Sequence, residues 1–141
     1  MIGVLLIAHA PLASALAAAA AHVYSCAPER AARGVRALDV TPDADVEATV
    51  AQARRLVGEI DDGSGVLVLV DAFGASPGNI ARRLIDPGRV AVIAGVNLPM
   101  LLRALCYRDG TLAQTVDKAL AGGAAGMLQV ETEAPTPVDG A

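Results

Sequence analysis

Three polar residues stand where apolar segments end: His9, Asp71 and Ser76. His9 closes the run Ile2-Gly3-Val4-Leu5-Leu6-Ile7-Ala8. An imidazole titrates near neutral pH and serves as base, ligand or nucleophile. Asp71 closes a second run, Val66-Leu67-Val68-Leu69-Val70. A carboxylate that accepts a hydrogen bond from one ring nitrogen fixes the tautomer and leaves the other nitrogen as a nucleophile. It also stabilises the positive ring formed when that nitrogen is modified. An aspartate at the start of a loop equally caps a turn. Ser76 ends Gly74-Ala75-Ser76, just before a helix-period segment. Backbone N–H groups at such a junction bind anions, and the hydroxyl adds a donor. A serine followed by Pro77 is also an ordinary helix cap.

Other constellations carry less. Gly74-Ala75-Ser76-Pro77-Gly78 matches the G-x-S-x-G elbow of serine hydrolases. Both histidines precede Ser76, against the Ser, Asp, His order of that fold, and Pro77 has no N–H for an oxyanion hole. His22 reads as a surface or packing residue and Met100 as core. Arg54, Arg55, Arg82 and Arg83 read as a solvated face. Neither a G-x-x-x-x-G-K-[ST] phosphate loop nor a G-x-G-x-x-G follows the first strand.

The elements that position these residues alternate. Apolar runs at Ile2–Ala8, Val35–Val40, Val66–Val70 and Val90–Ala94 read as strands, the first and third buried on both faces. Helical spacing predicts helices from Pro11 to Tyr24, from a Thr41 cap to Ile60, after Ser76 through Leu84, through Leu101, Leu102 and Leu105, and from a Thr111 cap through Leu120. A short strand is expected at Met127–Val130, after a flexible Gly122-Gly123-Ala124-Ala125-Gly126 stretch. Repeated βα units imply an α/β fold with an open, mostly parallel, flavodoxin-like sheet in the order 2-1-3-4. In that order the first and third strands are neighbours, so His9 and Asp71 face one crevice.

With 141 residues the chain suggests one domain, taken as residues 1–130, with a disordered tail at 131–141. Hydrophobic residues make up 54% and aromatic ones 2%, so the core is built from Val, Leu, Ile and Ala. A formal net charge of -4 argues against a nucleic-acid partner. Cys26 and Cys106 show no metal spacing and fit a reduced compartment. Met1 to Ala21 is apolar, but no positive charge opens it, and His9, Pro11 and Ser14 interrupt it. The expectation is a cytoplasmic protein with no membrane insertion, no cofactor and no metal.

Ile7-Ala8-His9-Ala10, Val70-Asp71-Ala72-Phe73-Gly74-Ala75-Ser76-Pro77-Gly78-Asn79 and Ala94-Gly95-Val96-Asn97-Leu98-Pro99-Met100-Leu101 occur in this order. Over about residues 1 to 130 the chain thereby resembles the mannose-type EIIA proteins of the bacterial sugar phosphotransferase system. The resemblance implies that His9 accepts a phosphoryl group from the phosphocarrier HPr and passes it to an EIIB partner on a separate chain. It implies that Asp71 orients His9, and that Ser76 and the amides around Phe73, Gly74 and Ala75 hold the phosphate. It implies a homodimer in which the last short strand pairs with the partner's sheet. The other reading is a regulatory module whose phosphorylation state is sensed by a partner protein without sugar transport. Two positions depart from the family pattern: Ala10 and Ala75 stand where it has glycine. A position 75 requiring positive φ would strain an alanine.

Overall fold

A computed structural model describes residues 1–132. Its ten elements are β1 (Gly3–His9), α1 (Leu12–Val23), α2 (Pro28–Ala32), β2 (Val35–Val40), α3 (Val46–Ile60), β3 (Val66–Val70), α4 (Ser76–Arg82), β4 (Val90–Ala94), α5 (Leu98–Cys106) and α6 (Leu112–Ala125). The strands form one sheet in the order β2-β1-β3-β4. Every neighbouring pair is parallel. The expected fold class and strand order are therefore found.

Strand alternation sends successive side chains to opposite faces. Val4, Leu6 and Ala8 of β1 join Leu67, Leu69 and Ile93 beneath α1, α5 and α6, where they meet Ala13, Leu101, Leu105 and Ala119. Leu5 and Ile7 join Val66, Val68 and Val70 on the other face, against Val50 and Ala53 of α3 and Ile80 of α4. Both faces are covered, which is why β1 and β3 read as unbroken apolar runs.

The helix boundaries correct the sequence reading in three places. First, α3 starts at Val46, with Asp45 rather than Thr41 at the N-cap position. Thr41 and Pro42 instead begin a turn in which the Ala44 amide donates to the Thr41 carbonyl at 3.1 Å. Second, the five-residue helix α2 has no counterpart in the periodicity reading, because one turn is too short to show a 3.6 period. Third, Gly122 and Gly123 are not a flexible tether but buried residues of α6. A Cβ on Gly122 would lie 2.6 Å from Arg103 Cβ, and one on Gly126 would lie 2.4 Å from Pro99 Cγ. These glycines let α6 approach α5 closely. The cap at Thr111 is as expected, completed by Gln114 in a capping box.

Past α6, Met127–Val130 has no strand hydrogen bonds within this single chain. Met127 and Val130 are 72% and 81% exposed. The expected tail lies almost wholly outside the described residues.

At the amino ends of the strands, Arg108 is fully buried. Its guanidinium donates to three backbone carbonyls: Nε to Ile2 at 2.8 Å, Nη1 to Arg30 at 3.1 Å and Nη2 to Gly34 at 3.1 Å. Burial pushes its pKa down to about 10, which leaves it charged at neutral pH. It ties α2 and the loop before β2 to the residue preceding β1.

Candidate active site at the carboxyl ends of β1 and β3

The register places β1 between β2 and β3, so the ends of β1 and β3 lie side by side with Ile7 opposite Val70. His9, two residues past Ile7, and Asp71, the first residue after β3, consequently come within reach of each other. Asp71 Oδ2 lies 2.7 Å from His9 Nδ1 and accepts from the His9 backbone amide at 3.0 Å. One carboxylate oxygen thus fixes both the ring and the main chain of the histidine. The other oxygen, Oδ1, accepts from the Ala72 amide at 3.0 Å. Asp71 therefore both orients the histidine and caps its own turn.

The Asp71 side chain is 12% exposed and that of His9 55% exposed. Burial raises the Asp71 pKa, but the hydrogen bonds from the His9 ring and amide outweigh it, so the carboxyl sits below its usual value. An ionised carboxylate only accepts, so Nδ1 must carry the proton. In the neutral ring the lone pair then resides on Nε2, the nitrogen that Asp71 does not engage. Chemically, an imidazole held in this way can serve as a tethered nucleophile with a counter-charge for its cationic form.

The loop from Asp71 to Ala75 leads into α4. Gly74 takes the positive φ, 84°. Ala75 has φ -100° and ψ 174°, extended backbone that any residue adopts. The alanine in place of the family glycine is thus unstrained. Gly78 is needed for a different reason, since a Cβ there would lie 2.8 Å from the Ala72 carbonyl oxygen. Ser76 is the first helical residue rather than the cap, and no side chain caps α4. Phe73 projects from the loop at 82% exposure.

The third motif is structural. Asn97 Oδ1 accepts from the Met100 amide at 2.9 Å, capping α5, and Nδ2 donates to the Gly123 carbonyl at 3.0 Å. Met100 is core, as expected. His22 is exposed on α1. Arg54, Arg55, Arg82 and Arg83 are also exposed, and Arg83 holds Glu47 through two bonds of 2.7 and 3.2 Å. Cys26 and Cys106 are both exposed free thiols. Among the described residues no group of His, Cys, Asp or Glu is arranged to hold a metal ion. No helix among them is long and apolar enough to cross a membrane.

One pair near the site escaped the sequence reading. Asp39, near the end of β2, accepts from the Ser14 amide at 3.1 Å, and the Ser14 hydroxyl lies 2.5 Å from its Oδ2. The available signal was a single charge between Leu38 and Val40 in an otherwise apolar strand end.

Comparison with known proteins adds relatives. The family model described as PTS system fructose IIA component (EIIA-man) matches residues 3–120. The PTS system mannose-specific EIIAB component of Escherichia coli K12 is 40% identical over 73 residues, which are 51% of this chain and 23% of that protein. The match thus spans about a quarter of the relative's length. Two solved structures share the fold. One is the mannose/sorbose specific IIA subunit from Enterococcus faecalis, with TM-score 0.80 and 20% identity over 96% of this chain and 98% of that one. The other is an EIIA component from Streptococcus agalactiae, with TM-score 0.77 and 22% identity over 92% of this chain and 97% of that one. With the family model covering most of its length, the chain belongs to the EIIA-man family of phosphotransferase-system IIA components.

Proposed function

We propose that this chain is a phosphoryl carrier whose His9 takes a phosphoryl group from phospho-HPr and gives it to an EIIB partner. The observation that carries the reading is the 2.7 Å contact between His9 Nδ1 and Asp71 on a histidine that is otherwise open to solvent. Nε2 attacks phosphorus with its lone pair as the bond from phosphorus to HPr breaks. Asp71 balances the positive charge that appears on the ring. Transfer onward to EIIB reverses the same step and restores the neutral imidazole. Little else is asked of the protein, because phosphoryl transfer depends chiefly on positioning and charge stabilisation.

Ser76 and the amides around Phe73, Gly74 and Ala75 are the phosphate cradle in this reading. Gly74 turns the loop with positive φ, and the start of α4 carries no competing side-chain cap. Incubation with phosphoenolpyruvate, enzyme I and HPr is expected to add one acid-labile phosphoryl group to the wild type and none to His9→Ala. A wild type that stays unmodified while HPr is charged would refute the carrier role. A chain that HPr charges but no EIIB discharges would belong to regulation instead.

The same reading includes a homodimer. The exposed Met127, Leu128 and Val130 would add a strand to the partner's sheet and so remove apolar surface from water. Removing the residues after Gly126 is expected to weaken the dimer in light scattering, whereas removing those after Val130 is not. Full dimer in both would place the interface elsewhere.

A further inference from the structure

The hydrogen bonds around β2 concern the turn that follows His9. Asp71 holds the histidine from the β3 side, but the ring's direction also depends on where the chain goes next. Ala10 extends the β1–β2 ladder by one bond, its amide donating to the Val40 carbonyl at 2.9 Å. Pro11 then occupies the N-cap position of α1 and has no side chain that can cap. The twelve-residue helix would begin with its first-turn amides unanswered.

Asp39 answers one of them, the Ser14 amide, from a different strand. It lies opposite Ala8 in the register, one residue before the histidine, and is half-buried. Oδ1 accepts from the Ser14 amide, and Oδ2 lies within hydrogen-bond reach of the Ser14 hydroxyl. That hydroxyl also lies 3.2 Å from the Pro11 carbonyl. A hydroxyl has one proton, and the Asp39 oxygen is the acceptor at the shorter distance. The two carboxylates therefore flank β1. Asp71 grips the ring from β3, and Asp39 grips the start of α1 from β2.

We infer that Asp39 is a positioning residue for His9: through Ser14 it anchors the first turn of α1, and so fixes the His9–Pro11 turn that aims the imidazole at Asp71. The inference rests on His9 being the phosphoryl acceptor for its kinetic consequence, but its structural consequence is independent of that reading. With Asp39 gone, the turn keeps the Ala10 bond, the Asp71 bonds to His9 and the Ser14 hydroxyl near the Pro11 carbonyl, but it loses its tie to β2, and the ring spends less time on Asp71. Asn at this position keeps an oxygen for the Ser14 amide, so it restores part of the anchoring.

The test compares Asp39→Ala, Asp39→Asn and Ser14→Ala with Thr111→Ala. Thr111 caps α6 at the opposite end of the sheet, and its loss supplies a destabilised control of the same kind. Two readouts are taken on folded protein: the rate of phosphorylation by phospho-HPr, and the imidazole nitrogen NMR shifts that report the Nδ1–H tautomer of His9. Asp39→Ala is expected to slow phosphorylation about tenfold, which is about 1.4 kcal/mol, and to shift the His9 signals toward a tautomer mixture. Asp39→Asn and Ser14→Ala are expected to fall between Asp39→Ala and wild type. Thr111→Ala should lose stability while keeping the wild-type rate and tautomer. An unchanged His9 tautomer in Asp39→Ala, or an equal loss of rate in Thr111→Ala, would overturn the inference. If the wild type itself takes no phosphoryl group, the carrier reading fails alone, and the tautomer measurement still decides the role of Asp39.

Discussion

The two ends of the sheet treat their polar side chains in opposite ways. At the amino ends Arg108 is wholly buried and its guanidinium meets three backbone carbonyls. At the carboxyl ends His9 is more than half exposed, with one ring nitrogen on Asp71 and the other unengaged. Each guanidinium nitrogen of the buried cation already has a backbone partner, and none is open to a substrate. The exposed imidazole is half satisfied, held firmly enough to point and open enough to react. Saturation marks a structural group, and a single unfilled position on an otherwise restrained side chain marks a chemical one.

The sharpest way to break this contrast is at Arg108. Arg108→Met should keep much of the buried volume while leaving the Ile2 and Arg30 carbonyls without donors, the Gly34 carbonyl keeping the Val4 amide at 2.9 Å. Each costs about 1–3 kcal/mol, so a loss on the order of 3 kcal/mol or more is expected in chemical denaturation. The rate of phosphorylation per folded molecule should not change. A variant within about 1 kcal/mol of wild type would show that water or a repacked neighbour replaces the guanidinium.

At the other end the effects reverse. Asp71→Asn is expected to fold normally and to slow phosphorylation by about tenfold or more, corresponding to at least about 1.4 kcal/mol in the transition state. The amide can hold the ring but cannot balance its charge, and it can select the wrong tautomer. Equal rates in mutant and wild type would remove Asp71 from the chemistry.

The smallest expected effect is on stability against pH. The folded Asp71 carboxyl lies below its usual value, so the unfolded chain binds the proton more readily. Its stabilisation is therefore present above about pH 4, the ordinary carboxylate range, and is lost as pH falls through the folded value. The stability difference between wild type and Asp71→Asn should shrink on acidification below about pH 4. A difference that grows there would reverse the sign of the linkage.

Much of this layout is legible in the amino-acid sequence. Apolar runs gave β1 and β3 because a strand covered on both faces has no polar face to show, and alternation with helices gave a parallel sheet. Strand order then brought His9 to Asp71. Where the reading failed, one residue type had two physical uses. Thr41-Pro42 suits a helix start or a turn, and here it makes a turn. Glycines at 122 and 123 suggest mobility, yet they serve close helix contact. Arg108, between Tyr107 and Asp109 before Gly110, resembles a solvated turn, and only tertiary packing reveals its burial. Asp39 meets Ser14 across 25 positions of sequence, a contact that only the strand register creates. The alanine at 75 was open from sequence because it depends on a single dihedral angle, which is extended.

The central claim is that Asp71 reserves Nδ1 and leaves Nε2 to react, and the position of the bound phosphoryl group tests it most directly. Phosphorus-coupled NMR of the nitrogen-labelled protein, after charging by enzyme I, HPr and phosphoenolpyruvate, distinguishes the two ring nitrogens. The geometry predicts a phosphoryl group on Nε2 of His9 with the Nδ1–H retained. A phosphoryl group on Nδ1, or on His22, would contradict it.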